Sequence, residues 1–243
     1  MRRRSPVPGV DLSVYANALP LLVRNPAIIV VPLLTLVIGV LLNLALAPGS
    51  GGLLGSTTFG LGQLLSFLLA LFGLGSACIM ADGAWRRGRM SFDTAWAETQ
   101  RKGGDILFAA IGVSLLLAVG QYVGQIFGPL GLLLMAAIVF FLIWAVPAAA
   151  VGGVPGGAAI QVSVERVRSN PLAAALATIV TLVLIFYASS ALALLIAGLL
   201  GPAASGIVVS LLFALLRAIA TGYVALILTK TYTDAAFTRP PWL

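Results

Sequence analysis

NPAIIVVPLLTLVIGVLLNLALAPGSGGLLGSTTFGLGQLLSFLLALFGLGSACIMA, residues 25–81, decides the fold. Its 57 residues carry no charged side chain. A helix needs about 20 apolar residues to cross a bilayer, so this run is too long for one crossing and long enough for two. Pro48-Gly49-Ser50-Gly51-Gly52 supplies the break, because clustered proline and glycine disfavour a continuing helix. The predicted element is a hairpin of two spans, 26–47 and 54–81.

The same pattern recurs twice along the chain. Residues 106–164 are uncharged and divided by Gly128-Pro129, which predicts spans 106–127 and 130–150. Residues 169–216 and 218–229 are uncharged and divided by Gly198 to Pro202, which predicts spans 171–197 and 203–229. The fold class is all-α: a polytopic bundle of six spans in three hairpins, forming one integral membrane domain over residues 1–243. Composition agrees, with 60% hydrophobic and 9% charged residues against about 25% charged in a soluble domain. A mean hydropathy of +1.11 excludes a soluble globular or a disordered chain.

Charge gives the orientation. Arg2, Arg3, Arg4 and Arg24 precede span one, and Arg86, Arg87, Arg89, Arg101 and Lys102 separate spans two and three. Arg166 and Arg168 separate spans four and five, and Lys230 and Arg239 follow span six. With six spans all of these fall on one side, while the three hairpin turns carry no charge. An excess of Lys and Arg marks cytoplasmic flanks, so both termini are expected in the cytoplasm. Five or seven spans would misplace the last basic flank. The 25 residues before the first apolar run contain Asp11, and the run exceeds the length of a signal-peptide core, so an uncleaved span is expected. The net charge of +7 is explained by these flanks, and nucleic acid is not an expected partner.

Each hairpin has a similar entrance. Arg24-Asn25-Pro26 opens span one, Arg168-Ser169-Asn170-Pro171 opens span five, and Arg101-Lys102-Gly103-Gly104-Asp105 opens span three. Asn or Asp is predicted to cap each helix start, and proline suits the first helical position. Short amphipathic helices at the membrane interface are expected before each entrance: Asp11–Arg24, Met90–Lys102 and Ala158–Arg168. In the first, Leu12, Tyr15, Ala16, Leu19 and Leu22 share a helical face; in the second, Phe92 and Trp96 do, and Glu98 can pair with Lys102. The alternation of Ile160, Val162 and Val164 also suits a strand, but a lone strand would leave its backbone unpaired in a membrane, so helix is preferred.

Several short motifs carry a family likeness: Val146-Pro147-Ala148-Ala149-Ala150, Gly156-Gly157-Ala158-Ala159-Ile160, Ser163, Arg168-Ser169-Asn170-Pro171, Arg24-Asn25-Pro26 with Pro32, and Trp85 to Gly88. With these the chain resembles a broad group of prokaryotic six-span proteins. The group includes the membrane domain attached to some bacterial glycerophosphoryl diester phosphodiesterases. The resemblance covers most of the chain and implies a six-span fold in the bacterial inner membrane. Members of the group often carry an acidic residue soon after the Pro-Ala element. Gly152 and Gly153 stand there in this chain, so no role for that acid carries over. The 243 residues hold no phosphodiesterase domain, so hydrolysis is not implied.

The absences restrict the chemistry. There is no histidine and one cysteine, Cys78, within an apolar run. Neither a Ser-His pair nor a thiolate cluster can form, and no cofactor or metal is expected. The seven carboxylates (Asp11, Asp82, Asp93, Glu98, Asp105, Glu165 and Asp234) all flank the predicted spans. Proton-coupled chemistry ordinarily places acids inside spans, which disfavours it here. The Gly152–Gly157 stretch lacks the Lys-Ser/Thr ending of a phosphate-binding loop and reads as a turn or hinge.

Arg217 stands out because it falls near the middle of span six. A charge at that depth costs about 2.5–3.5 kcal/mol on insertion scales, so it must face the bundle interior or a wet cavity. Asn43, Gln63, Gln121 and Gln125, in the outer halves of their spans, and Ser189 and Ser190 are its candidate neighbours. Two roles are open: a hydrogen-bonded arginine that fixes packing, or a contact for an anion or lipid, with Arg217, Gln63, Gln121 and Asn43 as the candidate set. Gly120, Gly124 and Gly128 recur every four residues. That spacing permits close helix packing, inside the bundle or between copies.

The expected function is that of a non-enzymatic membrane protein acting through lipid or partner binding or through oligomerisation. The alternative is a transporter or permease-like subunit for an anionic or amphipathic small molecule. The expected partners are membrane lipids and either a second copy of the chain or another membrane protein. A polar cavity reaching Arg217 would favour the alternative, and a dry bundle the first reading.

Overall fold

The computed structural model describes residues 10–46, 53–201 and 206–237. The first hairpin turn, Pro48 to Gly52, and Pro202 of the third lie outside the described residues, as do the surroundings of the Gly124 and Gln125 side chains. Among the described residues there is no strand. The helices are α1 (Ser13–Arg24), a 3-10 turn (Pro26–Ile29), α2 (Val30–Ala45), α3 (Leu53–Arg87), α4 (Phe92–Phe127), α5 (Pro129–Leu142), α6 (Ala145–Val151), α7 (Gly156–Ser169), α8 (Pro171–Leu182), a π segment (Val183–Ala188), α9 (Ser189–Leu200) and α10 (Gly206–Phe237). Six apolar helical stretches are long enough to cross a bilayer: Pro26–Ala45, Leu61–Arg87, Phe92–Val123, Leu133–Val151, Pro171–Leu199 and Gly206–Ala235. The chain is an all-α multi-pass membrane protein; the second and third apolar stretches, Leu61–Arg87 and Phe92–Val123, run through charged residues that the sequence reading places between spans.

The entrances of spans one and five share a backbone conformation. Asn25 has φ −130° and ψ 62°, and Asn170 has φ −137° and ψ 60°. A residue preceding proline is held out of the α region, and Pro26 and Pro171 then start the helices. The asparagine side chains do not cap, contrary to expectation. Asn25 Nδ2 instead donates to the carbonyls of Leu21 and Gly88, 3.0 Å each, tying the end of α1 to the loop after α3.

The middle hairpin departs further from the repeat. No separate interfacial helix forms over 90–102; α4 runs unbroken from Phe92 to Phe127. Gly103 and Gly104 disfavour helix by about 1 kcal/mol each but do not stop it, and Glu98 pairs with Lys102 at 3.1 Å across the same stretch. Asp105 therefore lies inside a helix and has no start to cap there. It caps another one: its Oδ1 accepts from the Gly156 N–H, 3.1 Å, at the head of α7. On the same face of α4, Lys102 Nζ donates to the Ala150 carbonyl, 2.9 Å, at the tail of α6. An acid meets a helix N-terminus and a cation a C-terminus, as the helix dipole favours.

Span four is broken at Ile143-Trp144, between α5 and α6. Pro147 explains the break: it has no N–H for the Ile143 carbonyl, and its ring crowds that carbonyl. The freed groups find a partner on α7. Ser163 Oγ accepts from the Trp144 N–H at 3.2 Å and donates to the Phe141 carbonyl at 2.8 Å. In a membrane such a break persists only when neighbouring helices satisfy it in this way. The stretch read ambiguously as strand or helix is thus helix α7, and Ser163 on it closes the break in span four.

The packed core sits at one end of the bundle, the end that gathers the basic linkers. Ala77 to Ala81, Ile106, Trp144 to Ala150 and Val224 to Leu228 are buried there. Trp85 Nε1 donates to the Leu226 carbonyl at 2.9 Å, Trp144 Nε1 to Thr231 Oγ1 at 3.1 Å, and Arg166 to the Tyr232 carbonyl at 2.7 Å. α1 lies over this end, burying Val14, Ala18 and Leu22 and exposing Leu12, Leu19 and Val23. The apolar face predicted for α1 is therefore split, with Leu22 turned inward and Leu12 and Leu19 outward. The opposite end, where the hairpins turn, is looser. Span five is its most peripheral member: in its apolar 18-residue window 12% of residues are buried, against 50% in that of span six.

Candidate functional site

At the turn end, α2, the first half of α3, α9 and the first half of α10 line an open cavity of about 770 Å³. Two close approaches set its α2–α3 wall. A Cβ on Gly39 would lie 3.3 Å from the Ser66 Cβ, and one on Gly73 would run into the Thr35 hydroxyl. Small residues let the two backbones come together. The junction is fastened by polar groups: Asn43 Nδ2 donates to the Gly39 carbonyl and to Ser66 Oγ, 2.9 Å each, and Ser66 Oγ donates to the Gly39 carbonyl at 3.1 Å.

Arg217 reaches this cavity from α10. It lies 11 residues into a helix that begins at Gly206, about 16 Å along the axis at 1.5 Å per residue. Its guanidinium carbon stands 5.9 Å from the centroid of the Phe213 ring, one turn away, near the outer limit of a cation–π contact. The Arg217 carbonyl accepts from the Thr221 hydroxyl at 2.8 Å. Among the described residues lining the cavity, Arg217 is the one ionisable side chain. The other polar lining groups are Asn43, Gln63, Ser66, Ser190 and Ser210, and the remainder is apolar.

The predicted neighbours of Arg217 are thus partly assembled. Asn43, Gln63 and Ser190 line the cavity with it. Gln121 does not: it is exposed on α4, a helix that contributes no residue to these walls. Ser189 is engaged within its own helix, its hydroxyl donating to the Ile185 carbonyl at 2.5 Å. Asn43 has both amide hydrogens committed to the α2–α3 junction, and its Oδ1 is buried and accepts no hydrogen bond among the described residues. Asn43 therefore shapes the wall, and Arg217 and Gln63 share the cavity with it. Two lining hydroxyls, Ser66 and Ser210, are not among the predicted residues; the signal that marks Gln63, a polar group in the outer half of a span, marks them too.

A second, smaller chamber of about 130 Å³ lies deeper, at the centre of the bundle. Leu36, Phe67, Ala70 and Arg217 border both spaces, so Arg217 stands at their junction. Leu71, Val113, Leu117 and Val139 give the inner chamber apolar walls, with Thr181 and Thr221 its only uncharged polar lining among the described residues. Both irregular spans contribute to it, Ile143 from the break in span four and Ile185 from the π segment.

The glycine series has a different placement. A Cβ on Gly120 would meet Met135 Sδ and Ile138 Cδ1, 2.7 Å each, so Gly120 packs α4 on α5 within its own hairpin. Gly128, at φ 57°, forms the turn itself, with nothing near a Cβ position. Among the described residues no group of His, Cys, Asp and Glu could hold a metal ion. No protein-family model matches the chain, and neither a curated protein nor a solved structure does.

Proposed function

We propose that this chain is a non-enzymatic integral membrane protein that binds an anionic ligand inside the bilayer at Arg217. The observation that carries the reading is the 770 Å³ cavity with Arg217 as the ionisable side chain in its described walls. Its size falls in the range of small-molecule sites, about 300–1,000 Å³, and its mixture of apolar walls and few polar groups is typical of them. A cation in a low-dielectric wall attracts an anion far more strongly than it would in water. The basic end faces the cytoplasm on the positive-inside rule, so both termini are cytoplasmic and the cavity belongs to the outer half of the membrane. The likeness to prokaryotic six-span proteins supports the bacterial inner membrane as its location.

A transporter or permease-like subunit is the second reading. The break at Ile143-Trp144 and the π segment at Val183–Ala188 favour it. Interrupted helices beside a mid-membrane site are a feature of transporters, and π segments recur at functional sites.

Both readings need an anion at Arg217. The test is equilibrium binding of benzoate, citrate, phenyl phosphate and palmitate to the purified protein in phosphatidylcholine nanodiscs. At least one binds saturably, and Arg217→Gln weakens it about tenfold or more, the loss of a charge-assisted hydrogen bond. Equal affinity in the two proteins, or no saturable binding of any of the four, rejects the reading.

A further inference from the structure

The geometry points to a single-chain anionic amphiphile as the occupant, its acidic group at Arg217 and its alkyl chain in the inner chamber. This rests on the anion reading above and narrows it. Arg217 borders both spaces, so one molecule held there extends into either. The outer chamber is large and carries Gln63 and the serine hydroxyls; the inner one is small and mostly apolar. At about 130 Å³ the inner chamber is well below the size of a whole ligand site, which suits a length of alkyl chain and not a second polar head. A bare inorganic anion would leave the apolar walls of both chambers uncovered. An amphiphile covers them and brings an acidic group to the arginine.

The direction also fits. Arg217 lies nearer the turn end, and the inner chamber continues from it toward the sealed, basic end. A lipid of the outer leaflet has this polarity, head outward and chain toward the midplane. Leu44 on α2 and Leu194 on α9 line the cavity while remaining 49% and 69% exposed, which marks a side facing the lipid. Apolar chains gain little by leaving lipid for an apolar pocket. Selection therefore falls on the acidic group, and the chamber only has to accept the chain.

The experiment is photolabelling in phosphatidylcholine nanodiscs with a palmitate analogue carrying a diazirine at mid-chain. Adducts are expected on inner-chamber residues of α3, α4 and α5, such as Leu71, Val113 and Val139. Excess palmitate removes them, and Arg217→Gln lowers them about tenfold, in line with loss of a charge-assisted contact. Ala70→Trp, which fills the junction, removes the inner adducts. Adducts scattered over lipid-facing positions such as Leu133, insensitive to excess palmitate, overturn the inference, as do inner adducts that survive Ala70→Trp. The wild-type map decides the matter even if a variant fails to fold. If benzoate still binds in an Arg217-dependent way after such a failure, the anion reading stands alone; if it does not, both fall.

Discussion

The basic end and the turn end of this bundle are made from the same alanine, leucine and glycine, yet they are built differently. At the basic end, indole, guanidinium and ammonium donors on one helix reach the carbonyls of another: Trp85 to Leu226, Arg166 to Tyr232, Lys102 to Ala150. At the turn end the polar groups form a local fastening between α2 and α3, and span five is the least buried of the spans. Rigidity is thus concentrated where the linkers are, and space is left where the one mid-span charge is.

The comparison is broken most sharply at Trp144. Its side chain is fully buried, and its indole N–H is bonded to Thr231. Trp144→Ala is expected to destabilise the fold by about 3–5 kcal/mol, the usual range for deleting a buried tryptophan. Leu194→Ala, at a cavity residue 69% exposed, is expected to change stability by less than about 1 kcal/mol. Unfolding titrations in SDS measure both. Equal effects would mean that the two ends are equally packed.

Ser163 comes next. Ser163→Ala leaves the Trp144 N–H and the Phe141 carbonyl without the partner that now serves both. An unsatisfied buried polar group costs about 1–3 kcal/mol, so a loss in that range is expected, read by the same titration. Ser163→Thr keeps the hydroxyl and should recover most of it. A neutral Ser163→Ala would show that the break in span four is served by some other group.

What the sequence makes legible follows from depth. Charges are so sparse that they separate the six spans, and depth alone picks out Arg217, Asn43, Gln63 and Ser190 as polar groups between the middle of the bundle and its turn end. Depth says nothing about direction around the bundle. Gln121 has a suitable level but sits on α4, across the molecule from the outer chamber. Asp105 shows the same limit: its place in the repeat suggests a cap, yet the helix it caps is α7, 51 residues away. The break at Trp144 was encoded in Pro147, but its repair by Ser163 depends on how α7 docks, which no local pattern states. Asn43 is legible as a polar residue at the right height, while its commitment to Gly39 and Ser66 comes only from the approach of two helices.

The smallest effect tests whether the seal at the basic end extends to its outermost layer, α1. Tyr15 accepts at its backbone carbonyl from the Tyr223 hydroxyl, 2.8 Å, while its own hydroxyl is buried with no hydrogen-bond partner among the described residues. Burial, and then the neighbouring Tyr223, push the Tyr15 phenol up to about 12 from its ordinary 10.0. Between these values the folded chain keeps a proton that the unfolded chain has lost, so the folded state binds more protons and stability falls as pH rises through the window. The contribution is whole below pH 10 and gone by about pH 12. Tyr15→Phe removes a buried hydroxyl with no partner among the described residues, so at pH 7 the thermal midpoint should hold or rise. Above pH 10 the variant should lose stability more slowly than the wild type, a difference that cancels every other group titrating in that range. Parallel pH profiles would mean that the phenol ionises freely and that water reaches beneath α1, placing the edge of the sealed region one layer deeper, at Leu22 and Ile28.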